Sequence, residues 1–314
     1  METETPTRAP SRQRYVRKKK PDPIEVTPRD LDIVRTVARL RFVSSHQLWR
    51  LVGGSKQRVL RRLEALYDNG YLDRPRAQIV QLYRAGNHPL VYGLGRGGAK
   101  LITAHDGIPL NRLDWTTKNT RAGAVFIAHT IETAEIMIAI ALAARERGLR
   151  LIDHAELLPY MPEKTRASRN PFAWRTKVKE GVKDIPISLI PDRLFSLVFP
   201  DNTRLNFVLE IDRGHMPVTR ASFEKQTSYA RKLAGYWAGW QEKRHQATWG
   251  FSQLFVLTVT TSEDRIASMV DVQRRLTGAG SRLFLFSTPA RVAASGPFAD
   301  VWIDGKGQSA SLVA

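Results

Sequence analysis

The chain reads as a two-domain protein of mixed α+β / α/β class, with three helices and a hairpin first and an α-β-β-β-α-β-α-β sandwich second. Three observations predict this. Apolar residues repeat at helical spacing three times before Gly70, each repeat preceded by a capping residue. Turn-rich residues then separate short β-like runs. Beyond a long apolar helix, strand-length apolar runs alternate with amphipathic helices. A length of 314 residues suits two cores better than one, because single cores rarely grow past about 250 to 300 residues.

Composition bounds the partners. The net charge is +19, and residues 1 to 105 carry 21 Lys and Arg against 9 Asp and Glu, so most of the excess belongs to the first module. A balance this basic points to a polyanion. No cysteine occurs, which excludes disulfides, thiolate chemistry and Cys-ligated zinc and fits a reducing cytoplasm. The N-terminus is charged and has no apolar segment of a signal peptide. The most apolar stretch, residues 124 to 144, carries His129, Glu132 and Glu135, each costly in hydrocarbon. It reads as a buried helix of a soluble, cytoplasmic protein without membrane contact.

Residues 1 to 26 read as a basic disordered arm: Arg14, Arg17 and Lys18 to Lys20 run into Pro21 and Pro23. Thr27-Pro28 caps a first helix with Leu31, Val34, Val37 and Ala38 on its apolar face. Ser44 and Gln47 form a capping box for a short second helix that ends at Gly53-Gly54. Ser55 opens a third, in which Val59, Leu60, Leu63, Leu66 and Tyr67 make the apolar stripe and Gly70 the stop. "YLDR", "AQIVQLYR" and "PLVYGL" follow as hairpin runs to residue 105. Three helices and a hairpin over residues 27 to 105 make a winged helix-turn-helix. Its third helix is expected in a DNA major groove, with Lys56, Gln57, Arg58, Arg61 and Arg62, joined by Arg84 of the hairpin, as contacts. The alternative is a solvated basic face or a protein-interaction module. "GLGRGG" places Gly93, Gly95 and Gly98 in a dinucleotide-fingerprint spacing with Asp114, but the strand before it belongs to the hairpin. These glycines therefore read as turn and helix-start residues.

Residues 106 to 120 read as a linker and 121 to 305 as the second domain, with 306 to 314 a tail. A helix to about Arg147 leads to a strand in "RLIDHAELLPY", a long polar loop over residues 161 to 184, and "IPISLI". "LFSLVF" and "LNFVLEI" pair through Pro200 to Thr203. Pro217 opens a helix to about Arg244. "FSQLFVLTVT", the helix from Glu263 to Leu276 and "SRLFLFS" complete the order. Alternation places Glu210 and Asp212 on one face of their strand. Asp192 joins them only if the hairpin loop has an odd number of residues or a bulge intervenes. Three converging carboxylates would then hold a hard divalent cation such as Mg²⁺, or repel one another and raise their pKa values.

This element order, with Pro191-Asp192 at one strand and Glu210-Ile211-Asp212 at the next, resembles the PD-(D/E)xK restriction-endonuclease-like fold. Preceded by a winged helix, and with "LEIDRGH" leading to Lys225 and Tyr229, the chain resembles the replication-relaxation family of bacterial plasmids and mobile elements. The resemblance implies catalytic residues Asp192, Glu210 and Asp212 as metal ligands, with Lys225 assisting, and Glu132 as a fourth carboxylate. It departs from active nucleases where Asp212 stands in place of the motif's lysine. The reading is a double-stranded DNA-binding protein acting in plasmid replication, relaxation or transfer, with a degenerate nuclease-like domain and with a second copy or replication proteins as partners. Two alternatives stay open: an active Mg²⁺-dependent endonuclease or nickase, and a winged-helix transcriptional regulator.

Overall fold

The structure is a computed structural model and describes residues 14–78, 89–223 and 227–313. The chain divides into two compact units, Met1–Ile131 and Glu132–Ala314.

In the N-terminal unit, helix α1 (Pro28–Leu40) starts at Thr27, whose hydroxyl accepts from the Asp30 amide while the Asp30 carboxylate accepts from the Thr27 amide. Strand β1 (Phe42–Ser44) follows; its three residues were not legible beside the helix signals. Helix α2 (Ser45–Val52) has the Ser44–Gln47 capping box and stops at Gly53. Helix α3 (Lys56–Asp68) buries Val59, Leu63, Leu66 and Tyr67, whereas Leu60, expected in that stripe, is exposed. Strands β2 (Leu72–Asp73) and β3 (Val91–Leu94) complete a three-stranded sheet in the order β1-β3-β2. Much of the expected hairpin, with Arg84, lies outside the described residues.

Helix α4 (Arg96–Asp106) begins at Gly95. A Cβ on Gly95 would stand 2.3 Å from the Gly70 carbonyl oxygen and one on Gly98 2.2 Å from that of Tyr71. The glycine pattern thus serves a close approach of backbones. Two expectations are corrected here. Residues 106 to 120 are no free linker: Leu113 and Asn119 are buried, and Trp115 bridges to Leu94 of β3. Nor is the arm detached from the fold from residue 14 onward, although Arg14 and Lys18 to Lys20 are exposed. Arg17 donates to the carbonyls of Tyr67 and Leu72 and pairs with Asp73 at 3.1 Å, and the Lys18 amide donates to Asp68.

Helix α5 (Ala124–Glu146) crosses from one unit into the next. By length and composition it is the one helix among the described residues able to cross a membrane, yet Ile127, Ile136, Met137, Ile138 and Ile140 are buried within the fold. That burial is consistent with a core helix.

The C-terminal unit is built on a seven-stranded sheet. Its strands are β4 (Arg150–Asp153), β7 (Arg193–Val198), β8 (Arg204–Ile211), β9 (Phe255–Val259), β10 (Phe284–Ser287), β11 (Trp302–Asp304) and β12 (Ser309–Ala310), ordered β12-β11-β10-β9-β8-β7-β4. Strands β8, β9 and β10 run parallel and the other pairs antiparallel. The parallel centre explains their nearly unbroken apolar runs, since such strands are covered on both faces. Along one face, Phe195, Phe207 and Phe255 stack in a cross-strand column. On the other, Leu194, Val208 and Val256 pack with helices α6 (Tyr229–Gln241) and α8 (Glu263–Thr277).

Three further expectations are corrected. The polar stretch around residue 180 is a hairpin, β5 (Trp174–Glu180) with β6 (Lys183–Leu189). The helix expected from Pro217 starts at Tyr229, capped by Ser228, and Lys243 at φ 55° separates it from α7 (Arg244–Trp249). The expected tail after residue 305 carries β12.

The hairpin lies against α6 through Trp174, whose indole N–H donates to the Gly235 carbonyl at 2.9 Å. A Cβ on Gly239 would meet the Trp174 ring at 2.4 Å. In an exposed helix, Gly→Ala gains about 1 kcal/mol. Here overpacking reverses the sign, and Gly239→Ala is expected to cost about 1 to 3 kcal/mol. Urea unfolding followed by tryptophan fluorescence checks this; an unchanged or raised midpoint contradicts it.

Candidate functional site

Two regions carry chemistry, one in each unit. In the first, the outer side of α3 presents Lys56, Gln57, Arg58 and Arg61, all exposed. Among the described residues, Arg58 and Arg61 have no hydrogen-bond or ion-pair partner, and the Lys56 ammonium lies 5.5 Å from the Trp49 ring centre. Arg62 is different. It points inward, donating from Nε to Asp30 Oδ1 at 2.7 Å and from Nη2 to Asp30 Oδ2 at 2.5 Å. The Asp30 side chain is 1 % exposed. Burial alone would raise its pKa, but hydrogen bonds from Arg62 and Thr27 outweigh that, and it is lowered. Arg62 is therefore a strut between α3 and α1 rather than a side chain free for a ligand.

In the second unit the expected acids meet at the ends of β7 and β8. Arg193 pairs with Leu209, so Asp192 stands opposite Glu210 when the register is continued. The Phe199 amide bonds the Thr203 carbonyl, leaving residues 200–202 as a three-residue loop with Asn202 in the left-handed region at φ 65°. The odd loop is what brings Asp192 to the face of Glu210.

Each acid is already engaged. Glu210 is buried; Oε2 accepts from Lys232 Nζ at 2.6 Å and Oε1 from the Tyr236 hydroxyl at 2.5 Å. Asp212 accepts from Arg265 through both oxygens and from Thr260 Oγ1 at 2.6 Å. Asp192 Oδ2 accepts from the Ile211 amide at 2.7 Å. Burial pushes Glu210 up, helped by the Asp192 charge and opposed by Lys232. Burial pulls Lys232 down, but the Glu210 charge and hydrogen bond prevail and it is raised, so it remains cationic. Tyr229 and Tyr236 are held well above their ordinary values by burial and the Glu210 charge.

A hard divalent cation needs carboxylate oxygens turned toward one point. Here both oxygens of Glu210 and of Asp212 are already bonded, to an ammonium, a guanidinium and two hydroxyls. Among the described residues no group of three His, Asp or Glu side chains is arranged to hold a metal ion. The arrangement does not fit the expected Mg²⁺ ligand set of Asp192, Glu210 and Asp212. Glu132, expected as a fourth carboxylate, pairs instead with Arg213 at 3.1 Å. Lys225 lies outside the described residues.

The residues that sequence reasoning missed are Lys232, Tyr236 and Arg265. For the first two a signal exists: Tyr229, Lys232, Leu233 and Tyr236 share the i, i+3, i+4, i+7 face of α6. A lone cation in such a stripe needs a buried anion. For Arg265 no local signal exists, since its partner lies 53 residues away.

A family model described as replication-relaxation matches residues 34–254. No curated protein and no solved structure matches the chain.

Proposed function

The chain belongs to the replication-relaxation family, and from that premise we propose a double-stranded DNA-binding protein acting in the replication or relaxation of a plasmid or mobile element. Its N-terminal unit is read as a winged helix whose α3 enters the major groove, about 12 Å wide. The observation that carries this is the division of labour on α3: Arg62 is consumed by Asp30, while Lys56, Gln57, Arg58 and Arg61 remain exposed on one basic surface. Arg and Gln read base edges from such a helix, and Lys and Arg also hold phosphate. The C-terminal unit is read as a nuclease-like domain whose acids have been converted to internal ion pairs. Supporting this is the pairing of Glu210 with Lys232 and of Asp212 with Arg265.

Arg58→Ala and Arg61→Ala are each expected to weaken binding to a cognate duplex by roughly 1 to 3 kcal/mol, with relaxed specificity if the side chain reads a base. Electrophoretic or fluorescence titration against cognate and scrambled duplexes measures this. Binding equal to that of the parent chain for both variants would sink the assignment of α3.

A further inference from the structure

Beside the third helix, the N-terminal unit contains a second basic feature. A cleft of about 930 Å³ opens between the start of α4, the one-turn helix at residues 76–78 and the turn at residues 116–119. Five cations line it, with Asp73 as the one carboxylate. Arg17 and Arg74 are committed to the fold: Arg17 pairs with Asp73, and Arg74 donates to the Arg14 carbonyl and the Tyr92 hydroxyl. Arg76, Arg96 and Lys100 are exposed, and among the described residues none of them has a partner.

Their placement is unfavourable for the protein alone. Arg96 and Lys100 are like charges at i, i+4 on one helix face. Arg96 is also the first residue of α4, where the helix dipole repels a cation. Arg76 adds a third positive charge from across the cleft. Among the described lining residues no free carboxylate offsets them, because Asp73 is held by Arg17. An anion bound in the cleft reverses the sign of all three effects.

We infer that this cleft is a phosphate clamp for the DNA backbone, separate from the α3 surface and indifferent to base sequence. The inference rests on reading the N-terminal unit as a DNA binder. Backbone phosphate, rather than a base, is the ligand because the charged side chains of the lining left without a partner among the described residues, Arg76, Arg96 and Lys100, are all cations. The Tyr67 ring already carries the guanidinium groups of Arg17 and Arg74, at 4.7 and 4.1 Å from its centre. Thr116 adds a hydroxyl to the lining, and hydroxyls commonly complete phosphate contacts.

The test compares the full chain, the triple variant Arg76→Ala/Arg96→Ala/Lys100→Ala and the double variant Arg58→Ala/Arg61→Ala. Binding to cognate and scrambled duplexes is measured across a range of NaCl concentrations. Each phosphate contact contributes about 0.9 to the slope of log K against log[salt]. The triple variant is expected to lose roughly 2 to 3 from that slope, equally on both duplexes, and to melt no lower than the parent because repulsion has been removed. An unchanged slope in a triple variant that melts like the parent overturns the clamp. If the double variant loses cognate binding while the triple variant keeps its slope, the clamp alone falls. If the triple variant loses slope while the double variant binds normally, the α3 reading alone falls. A parent chain that binds no duplex at all overturns both.

Discussion

Replacing Lys232 by alanine is expected to destabilise the C-terminal unit by about 3 to 5 kcal/mol, the usual cost of leaving one member of a buried ion pair uncompensated. Glu210 is 1 % exposed and would keep one donor, Tyr236. Burial and the Asp192 charge already push its pKa up; without the ammonium it would rise further and the carboxyl would take a proton. The sign of the pH dependence follows. A carboxyl whose folded pKa exceeds its unfolded value, about 4.3, contributes most below that value, and its contribution fades as pH rises through the folded pKa. The stability gap between Lys232→Ala and the parent should therefore be largest at neutral pH and should shrink on acidification. Lys232→Met/Glu210→Gln, which removes both charges at similar volume, should recover most of the loss, because a buried pair adds little over a well-packed neutral replacement. Mg²⁺ should not raise the melting temperature of the parent. Five of the seven tryptophans lie in this unit, so fluorescence-detected urea unfolding reports on it directly. A loss below about 1 kcal/mol that does not vary with pH would show that the pair is not what holds α6 to β8.

What the sequence discloses about this protein is mostly local. Thr27 with Asp30 and Ser44 with Gln47 sit three residues apart and form the caps their spacing implies. Likewise, the Asp192–Glu210 juxtaposition follows from alternation once the loop is known to be odd. What stays hidden is supplied by tertiary contact. Arg62 has the composition of a ligand-binding side chain, but it lies three residues after Val59 and four before Leu66, beside the buried stripe. Its carboxylate partner comes from another helix. The β5–β6 hairpin carried a period-two signal, with Trp174 and Thr176 buried and Arg175 and Lys177 exposed. Its density of charge is that of an exposed loop. The family resemblance points to Asp192, Glu210 and Asp212, yet motif spacing does not say which cations the fold brings to them. Lys232 and Arg265 decide what those acids can do.

Asp30 offers the complementary case, a depressed carboxylate in the N-terminal unit, and Asp30→Asn is expected to cost about 3 kcal/mol at neutral pH. The change removes the charge that holds Arg62 and weakens the Thr27 capping box. The cost sits at the low end for a buried pair because the Arg62 side chain, 32 % exposed, can recover some water. Here the carboxyl's own contribution runs opposite to that of Glu210, although the gap between variant and parent moves the same way. A carboxyl with a folded pKa below its unfolded value of about 3.9 stabilises the fold above that value and loses the effect as pH falls through the folded pKa. The gap between Asp30→Asn and the parent should thus be widest near neutrality and should close below about pH 4. Hydrogen exchange of the α1 and α3 amides across that range isolates this unit from the other. Arg62→Ala should reproduce the exchange phenotype while leaving the salt slope of DNA binding unchanged, because its guanidinium already faces Asp30. If Arg62→Ala instead lowers the salt slope by about 0.9 with normal exchange, the side chain holds phosphate. In that event the strut between α1 and α3 is not its role.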